Sequence, residues 1–367
     1  MRRAAQFTSQ RKGASSMNTT YSRSRRAVLK AVGAAALVGA AGTRRSFAAD
    51  RIAAATFPGA WETAHRSFLI PAFEKASGGS VNLMPTMPLE IIAKTAAARN
   101  NPPFDVIVAD EGSFAVAVQE GLIEPIPAAL LPNLKYLPAK FVDPHGLGVY
   151  VSAQVVGIAY NTEKIKVAPT SWNDLLKPEY KGRVGVVGFG SAVGPVWLTE
   201  VAKMRGGSET NMEPAFAYLR ELLPNIGAVA SSPGQLATLI QQGQVDICAH
   251  YSNNVGDLQA KGVPVELARP DTGWGIVLTS MHVVKNSKEP ALAAAYINAA
   301  LDAGVQGKLA DAPYYLVPTN TQVPYSKGLQ HYARNAAELD TFKSIDWVKL
   351  APLRQGYIDR FNREVKV

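Results

Sequence analysis

Beyond residue 49 the chain alternates short runs of β-branched and small apolar residues with longer stretches in which apolar positions recur every three or four residues. The first pattern predicts strands, the second amphipathic helices facing a core. Residues 51–57 read as a strand and 62–77 as a helix, with Phe68, Leu69, Ala72 and Phe73 at core spacing and a stop at Gly78-Gly79. Strands are expected at 81–84 and 104–109, a helix between them at 88–98, and a short helix at 113–120 closed by Gly121. Further along, 183–187 and 245–250 read as strands, and 194–204, 214–223 and 232–242 as helices. Two β-like stretches stand out by length, 150–160 and 275–284. In the tail, Phe342, Trp347, Leu350, Leu353, Tyr357 and Phe361 recur at helix-like spacing that suits packing, and Pro352 predicts a break into two helices. Alternation of this kind belongs to an α/β fold with largely parallel strands. Roughly 300 residues approach the limit of a single core, so two lobes are expected.

Charge changes the picture by its location. The formal net charge is +9, a value that would suit a nucleic-acid or membrane-surface binder. However, residues 1–48 contain ten basic residues and no acidic one, and the remainder carries 28 basic against 29 acidic residues. The body therefore has no electrostatic reason to bind nucleic acid. The basic leader has its own order: Ser24-Arg25-Arg26-Ala27-Val28-Leu29-Lys30, a weakly apolar run from Ala31 to Gly42, then Arg44-Arg45 and Ser46-Phe47-Ala48. This is the layout of a removable signal peptide of the twin-arginine type, cleaved near Ala48 and directing the protein to the periplasm. The apolar run is too short to span a bilayer, which takes about 20 residues. A lone cysteine, Cys248, excludes an internal disulfide.

Several segments resemble the extracellular solute-binding proteins of bacterial ABC importers, in the branch that holds the spermidine/putrescine and ferric-iron binders. They are Thr56-Phe57-Pro58-Gly59-Ala60-Trp61 after the first strand, and Phe104-Asp105-Val106-Ile107-Val108 followed by Glu120-Gly121-Leu122-Ile123. Residues 171–182, with Trp172, Asp174, Leu175, Pro178, Tyr180, Lys181 and Gly182, are similar to the W-x-D-L…P-x-Y-K-G linker and form the most specific match. Gly243-Gln244-Val245-Asp246-Ile247, then Tyr251-Ser252-Asn253, then Val317-Pro318-Thr319-Asn320, complete the set in order. The resemblance implies a two-lobed α/β fold of the type II periplasmic-binding class with two crossing hinge strands, near residues 152–157 and 273–279. One lobe would comprise 49–152 plus 277–322, the other 153–276 plus 323–367. It also implies a small-molecule solute gripped between the lobes and an ABC permease as partner; a monomer is expected.

Ligands of open α/β sheets sit beyond the carboxyl ends of strands, which selects the loops that follow them. Gly59, Trp61 and Glu62 follow the first strand, and Trp61 offers a flat face for apolar or cationic groups. Asp110 and Glu111 follow the strand at 104–109; one is expected to anchor an amine while the other caps the next helix. Ser191, in Gly188-Phe189-Gly190-Ser191-Ala192-Val193-Gly194, is expected to donate beside backbone N–H groups at a helix start. Tyr251 and Asn253 would stack and hydrogen-bond, with Trp274 a further wall and Thr279 a further hydrogen-bonding group. Polyamine binders carry an aromatic-x-Asp where this chain has Val277-Leu278-Thr279, so the second amine anchor of the family is missing. Burying an unanswered charge costs several kcal/mol, which favours an amino-acid-like or other zwitterionic amine over spermidine. Ferric iron is the alternative, since such sites are built from adjacent tyrosines as hard oxygen donors; the tandem pair Tyr314-Tyr315 precedes Val317-Pro318-Thr319-Asn320, where the resemblance implies lobe packing, and Tyr251 and His250 stand near the family's iron position.

A periplasmic enzyme is the remaining reading. The sequence has no C-x-x-C, no H-E-x-x-H, no G-K-[ST] phosphate loop and no G-x-S-x-G elbow. His65, His145, His250, His282 and His331 are scattered without metal-ligand spacing, so no catalytic activity, metal or cofactor is expected.

Overall fold

The computed structural model describes residues 50–365. The expected signal peptide lies outside the described residues. The strands are β1 Arg51–Thr56, β2 Ser80–Pro85, β3 Val106–Asp110, β4 Ile123–Glu124, β5 Val149–Asn161, β6 Val184–Val187, β7 Ile226–Ala230, β8 Ile247–Tyr251, β9 Val265–Ala268, β10 Gly275–Val284 and β11 Val317–Pro318. Along the sheet they follow the order β2-β1-β3-β10-β5-β8-β6-β7, with β11 and β9 also on β5 and β4 on β10. Strands β1, β2 and β3 run parallel, as do β6, β7 and β8. Between these groups β5 and β10 run antiparallel to each other, and β10 continues onto β3 while β5 continues onto β8. The two long strands thus belong to both halves of the sheet. Their register shifts between Thr279, opposite Ser152, and Ser280, opposite Tyr150; such an irregularity bends and twists the ladder.

The helices are α1 Ala60–Ala64 and α2 Ile70–Ser77, joined by a π-helical stretch His65–Leu69; then α3 Pro88–Ala97, α4 Glu111–Gln119, α5 Val193–Met204, α6 Glu213–Leu222, α7 Pro233–Gln241, α8 Ser252–Ala260, α9 Pro290–Ala300, α10 Ala303–Ala310 and α11 Trp347–Glu364. They cover both faces of the sheet. Ala54 and Val106 enter the large core, whereas their neighbours Ala55 and Ile107 point to a smaller one with Ile91 and Val284, as the two-residue period of strands requires. Covered on both faces, β3 and β5 are apolar nearly throughout rather than alternating. Among the described residues no helix is long and apolar enough to cross a membrane.

Three features depart from the sequence reading. The strands were expected to be largely parallel, but parallel pairing is confined to the two flanks, because the long strands β5 and β10 pair antiparallel with each other and with β3, β4, β8, β9 and β11. Strands β7 and β9 and helices α8, α9 and α10 were not expected, because their apolar runs are short or Ala-rich and give little periodicity. The tail is one helix, α11, with Pro352 inside it. Pro352 removes a single N–H in the second turn, beside the exposed Val348, while both ends of the helix are packed. Trp347 and Arg354 lie against Gly112 of α4, and Phe361 fills the space that a side chain at Gly188 would need. Helix α11 therefore reaches from the end of β3 to the end of β6.

Candidate functional site

A cavity of about 480 Å³ lies beyond the carboxyl ends of β1, β3, β6 and β8. Its walls begin with the turn after β1. Gly59, at φ 85°, precedes α1 in a conformation that side chains resist. The turn delivers Trp61 to the wall, 4% exposed, with its ring edge-on to Phe57 at 5.9 Å and to His65 at 5.3 Å. The Trp61 indole N–H is buried without a partner.

At the end of β3, Asp110 caps α4: its Oδ1 accepts the Ser113 N–H at 2.7 Å and the Ser113 hydroxyl at 2.8 Å. The same oxygen lies 3.9 Å from Nη1 of Arg354, so the protein's interactions with this carboxylate fall on one oxygen, and Asp110 lines the cavity. Glu111 turns the other way. Its Oε2 accepts the Leu278 N–H of β10 at 3.0 Å, and burial first, then the Asp110 charge, raises its pKa to about 7 against the pull of that hydrogen bond.

The loop after β6 is tight because Gly194 approaches the Gly188 carbonyl more closely than any Cβ would allow. It presents Ser191 and Ala192 at the start of α5, a helix with no side-chain cap. Helix α8, likewise uncapped, begins after Tyr251. Burial pushes the Tyr251 phenol well above its ordinary range, only partly opposed by the neighbouring Ser191 and Val193. In the first turn of α8, Asn253 accepts from Gln154 Nε2 at 2.9 Å, and Gln154 stands on β5 at the cavity floor. The start of α7 at Ser232 and that of α3 at Met87-Pro88 complete the rim.

Of the ten residues singled out in the sequence, Gly59, Trp61, Asp110, Ser191, Tyr251 and Asn253 meet at this cavity. The other four lie off it. Glu62 pairs with Arg66 at 2.9 Å on the outer face, and Glu111 faces Leu278. Thr279 is fully buried in β10 opposite Asp110 and Ser152, and Trp274 packs on Tyr332 with centroids 5.4 Å apart. The sequence reading missed Phe57, Gln154 and the α7 rim as lining residues, and Tyr314, singled out for the iron alternative, also lines the cavity. Gln154 had a signal, since it and Ser152 are the polar positions inside an otherwise apolar strand.

The charge layout follows from these placements. Charged side chains on the cavity wall are Asp110, Asp257 and Lys261, and the last two are paired at 2.6 Å. One carboxylate thus stands among the N-termini of α3, α5 and α8, none of which has a side-chain cap and whose aligned dipoles favour an anion. Among the described residues no three His, Cys, Asp or Glu side chains are grouped to hold a metal ion.

A two-lobed α/β frame with a cavity of mixed polar and apolar lining beyond its strand ends is the architecture of a solute-binding protein. The family model described as bacterial extracellular solute-binding protein matches residues 101–351, and the chain belongs to that family. It is 28% identical over 191 residues to a putative 2-aminoethylphosphonate-binding periplasmic protein of Salmonella typhimurium, an alignment covering 51% of each chain; the match thus spans about half the length of that relative. It is 24% identical to the spermidine/putrescine-binding periplasmic protein of Escherichia coli over 59% of this chain and 63% of the other. The fold matches the periplasmic binding protein AfuA of Actinobacillus pleuropneumoniae, solved with fructose-6-phosphate bound, at a TM-score of 0.72 and 21% identity, covering 87% of this chain and 99% of that one.

Proposed function

We propose that the protein is the periplasmic solute-binding component of an ABC importer, and that it binds one small zwitterionic organic solute without altering it chemically. In this reading the solute's ammonium group sits at Asp110 and its anionic group at the starts of α5 and α8. The observation that carries it is the placement of a single carboxylate, Asp110, opposite several helix N-termini without side-chain caps around a cavity whose 480 Å³ suits a small metabolite. Similarity to a relative named for a zwitterionic aminophosphonate supports the same chemistry.

Closure would bring together one lobe of residues 49–152 plus 277–322 and another of 153–276 plus 323–367. It would hinge on β5 and β10 near 152–157 and 273–279, where the register shift lies. Contacts from the solute to both lobes favour the closed form, which the membrane permease then recognises. Export through the twin-arginine signal, cleavage near Ala48 and action as a monomer complete the proposal.

A thermal-shift series with 2-aminoethylphosphonate, amino acids, putrescine, spermidine and ferric citrate tests it. A zwitterion at about 100 times its Kd adds about 2.7 kcal/mol of stability and raises the melting temperature by roughly 5 °C. Stabilisation by ferric citrate alone would favour the iron reading, with Tyr251 and Tyr314 on the cavity wall as oxygen donors. No shift with any class would remove the solute-binding reading of this cavity.

A further inference from the structure

Arg354 is 3% exposed, yet Nη1 and Nη2 of its guanidinium have no hydrogen-bond partner. Its Nε donates to the Phe189 carbonyl at 2.8 Å, and its plane lies 5.4 Å from the Trp347 ring. A Cβ at Gly112 would come within 2.7 Å of Nη1, so this site exists only because α4 begins Glu-Gly-Ser. A buried guanidinium requires an anion nearby. Glu111, one residue before that glycine, has its carboxylate directed to Leu278. Asp110 is therefore the counter-charge, reached at 3.9 Å from behind the cavity wall.

Resting on the zwitterion reading above, we propose that Arg354 is a specificity-determining residue that acts through Asp110. By answering the Asp110 charge from beneath, it leaves the floor electrically balanced. A ligand must then bring its own compensating anion to the helix N-termini. A diamine, with two cationic ends facing one carboxylate that Arg354 already answers, is rejected. The missing aromatic-x-Asp on β10 removes one polyamine anchor, and Arg354 weakens the other.

The test is calorimetric titration of the full chain with 2-aminoethylphosphonate, putrescine and methylphosphonate. The unmodified protein is expected to prefer 2-aminoethylphosphonate to putrescine. Arg354→Met should move that ratio toward putrescine by about tenfold or more, and Arg354→Lys, which keeps the charge, should restore the original preference. Asp110→Asn is nearly isosteric and still caps α4, and it should gain affinity for methylphosphonate, an anion with no ammonium; it decides the matter if Arg354→Met fails to fold. An unchanged ratio in Arg354→Met, or no gain in Asp110→Asn, overturns the role of Arg354 while leaving the zwitterion reading intact. If the parent and all variants bind none of the three probes, both fall together.

Discussion

Gln154 Nε2 donates to Asn253 Oδ1 at 2.9 Å, tying the floor strand β5 to the first turn of α8 within the cavity wall. Both side chains are buried, and because the Asn253 oxygen is engaged, its amide N–H groups are left to donate to a ligand. Asn253→Asp should preserve the fold, since a carboxylate also accepts from Gln154 and is favourable at a helix N-terminus. It replaces the donors with a negative charge and is expected to lower affinity for 2-aminoethylphosphonate by about tenfold or more. Titration calorimetry checks this; equal affinities would take Asn253 out of the ligand's reach.

Trp61 and Phe57 separate binding from stability. Trp61 is almost wholly buried between Phe57 and His65, so Trp61→Ala opens a cavity and should cost about 3–5 kcal/mol of stability. Phe57 is half-buried at the same wall, and Phe57→Ala should weaken ligand binding at a much smaller cost to the fold. Melting temperatures with and without ligand distinguish the two. A Trp61→Ala protein that melts like the parent would contradict this packing.

The pH dependence of stability has two opposing sources. Burial lowers His65 and His250 to about 3 and His282 to about 4. The unfolded chain takes up these protons near pH 6.5 and the folded one does not, so this contribution is complete above 6.5 and lost as the pH falls toward 3–4. Glu111 acts in reverse: its folded pKa of about 7 exceeds the unfolded value, so its contribution is complete below about 4.5 and lost as the pH rises through 7. The groups facing it, Asp110 and the Tyr150 phenol, offer no positive charge to offset that loss. Glu111→Gln can still accept from Leu278 and should raise the melting temperature at pH 8 but not at pH 4.5. An equal effect at both would show that Glu111 does not titrate in this window.

How much of this was legible beforehand depends on sequence distance. The apolar run of β3, ending in Asp110-Glu111-Gly112, showed where a site loop must lie, because a strand covered on both faces reads as an unbroken apolar stretch. It left open which carboxylate faces the cavity. That choice depends on the Leu278 N–H, 167 residues away, which draws Glu111 to the opposite side. Arg354 was invisible for the same reason, since its partners Phe189 and Asp110 come from two other parts of the chain. The α7 rim gave no signal because Ser232 and Pro233 read as an ordinary helix start whether or not a cavity lies beyond it.

Trp274 provides the contrasting case, an aromatic that immediately precedes a crossing strand and looked like a binding wall. Its ring packs edge-on against Tyr332 at 5.4 Å and His331 at 6.4 Å, away from the cavity. On its other side it covers Gly157 of β5, where a Cβ would meet the indole at 2.6 Å, so the glycine makes room for the ring. Trp274 therefore holds the C-terminal segment on the crossing strands, a link reinforced by the hydrogen bond from Lys343 N–H to the Trp274 carbonyl at 2.7 Å. Trp274→Phe leaves space where the indole packed and should lower stability by about 1–3 kcal/mol, with ligand affinity within about twofold of the parent. Denaturant titration and calorimetry on the same preparation test both halves of this expectation. A tenfold loss of affinity with unchanged stability would move Trp274 from the packing of the crossing strands to the ligand.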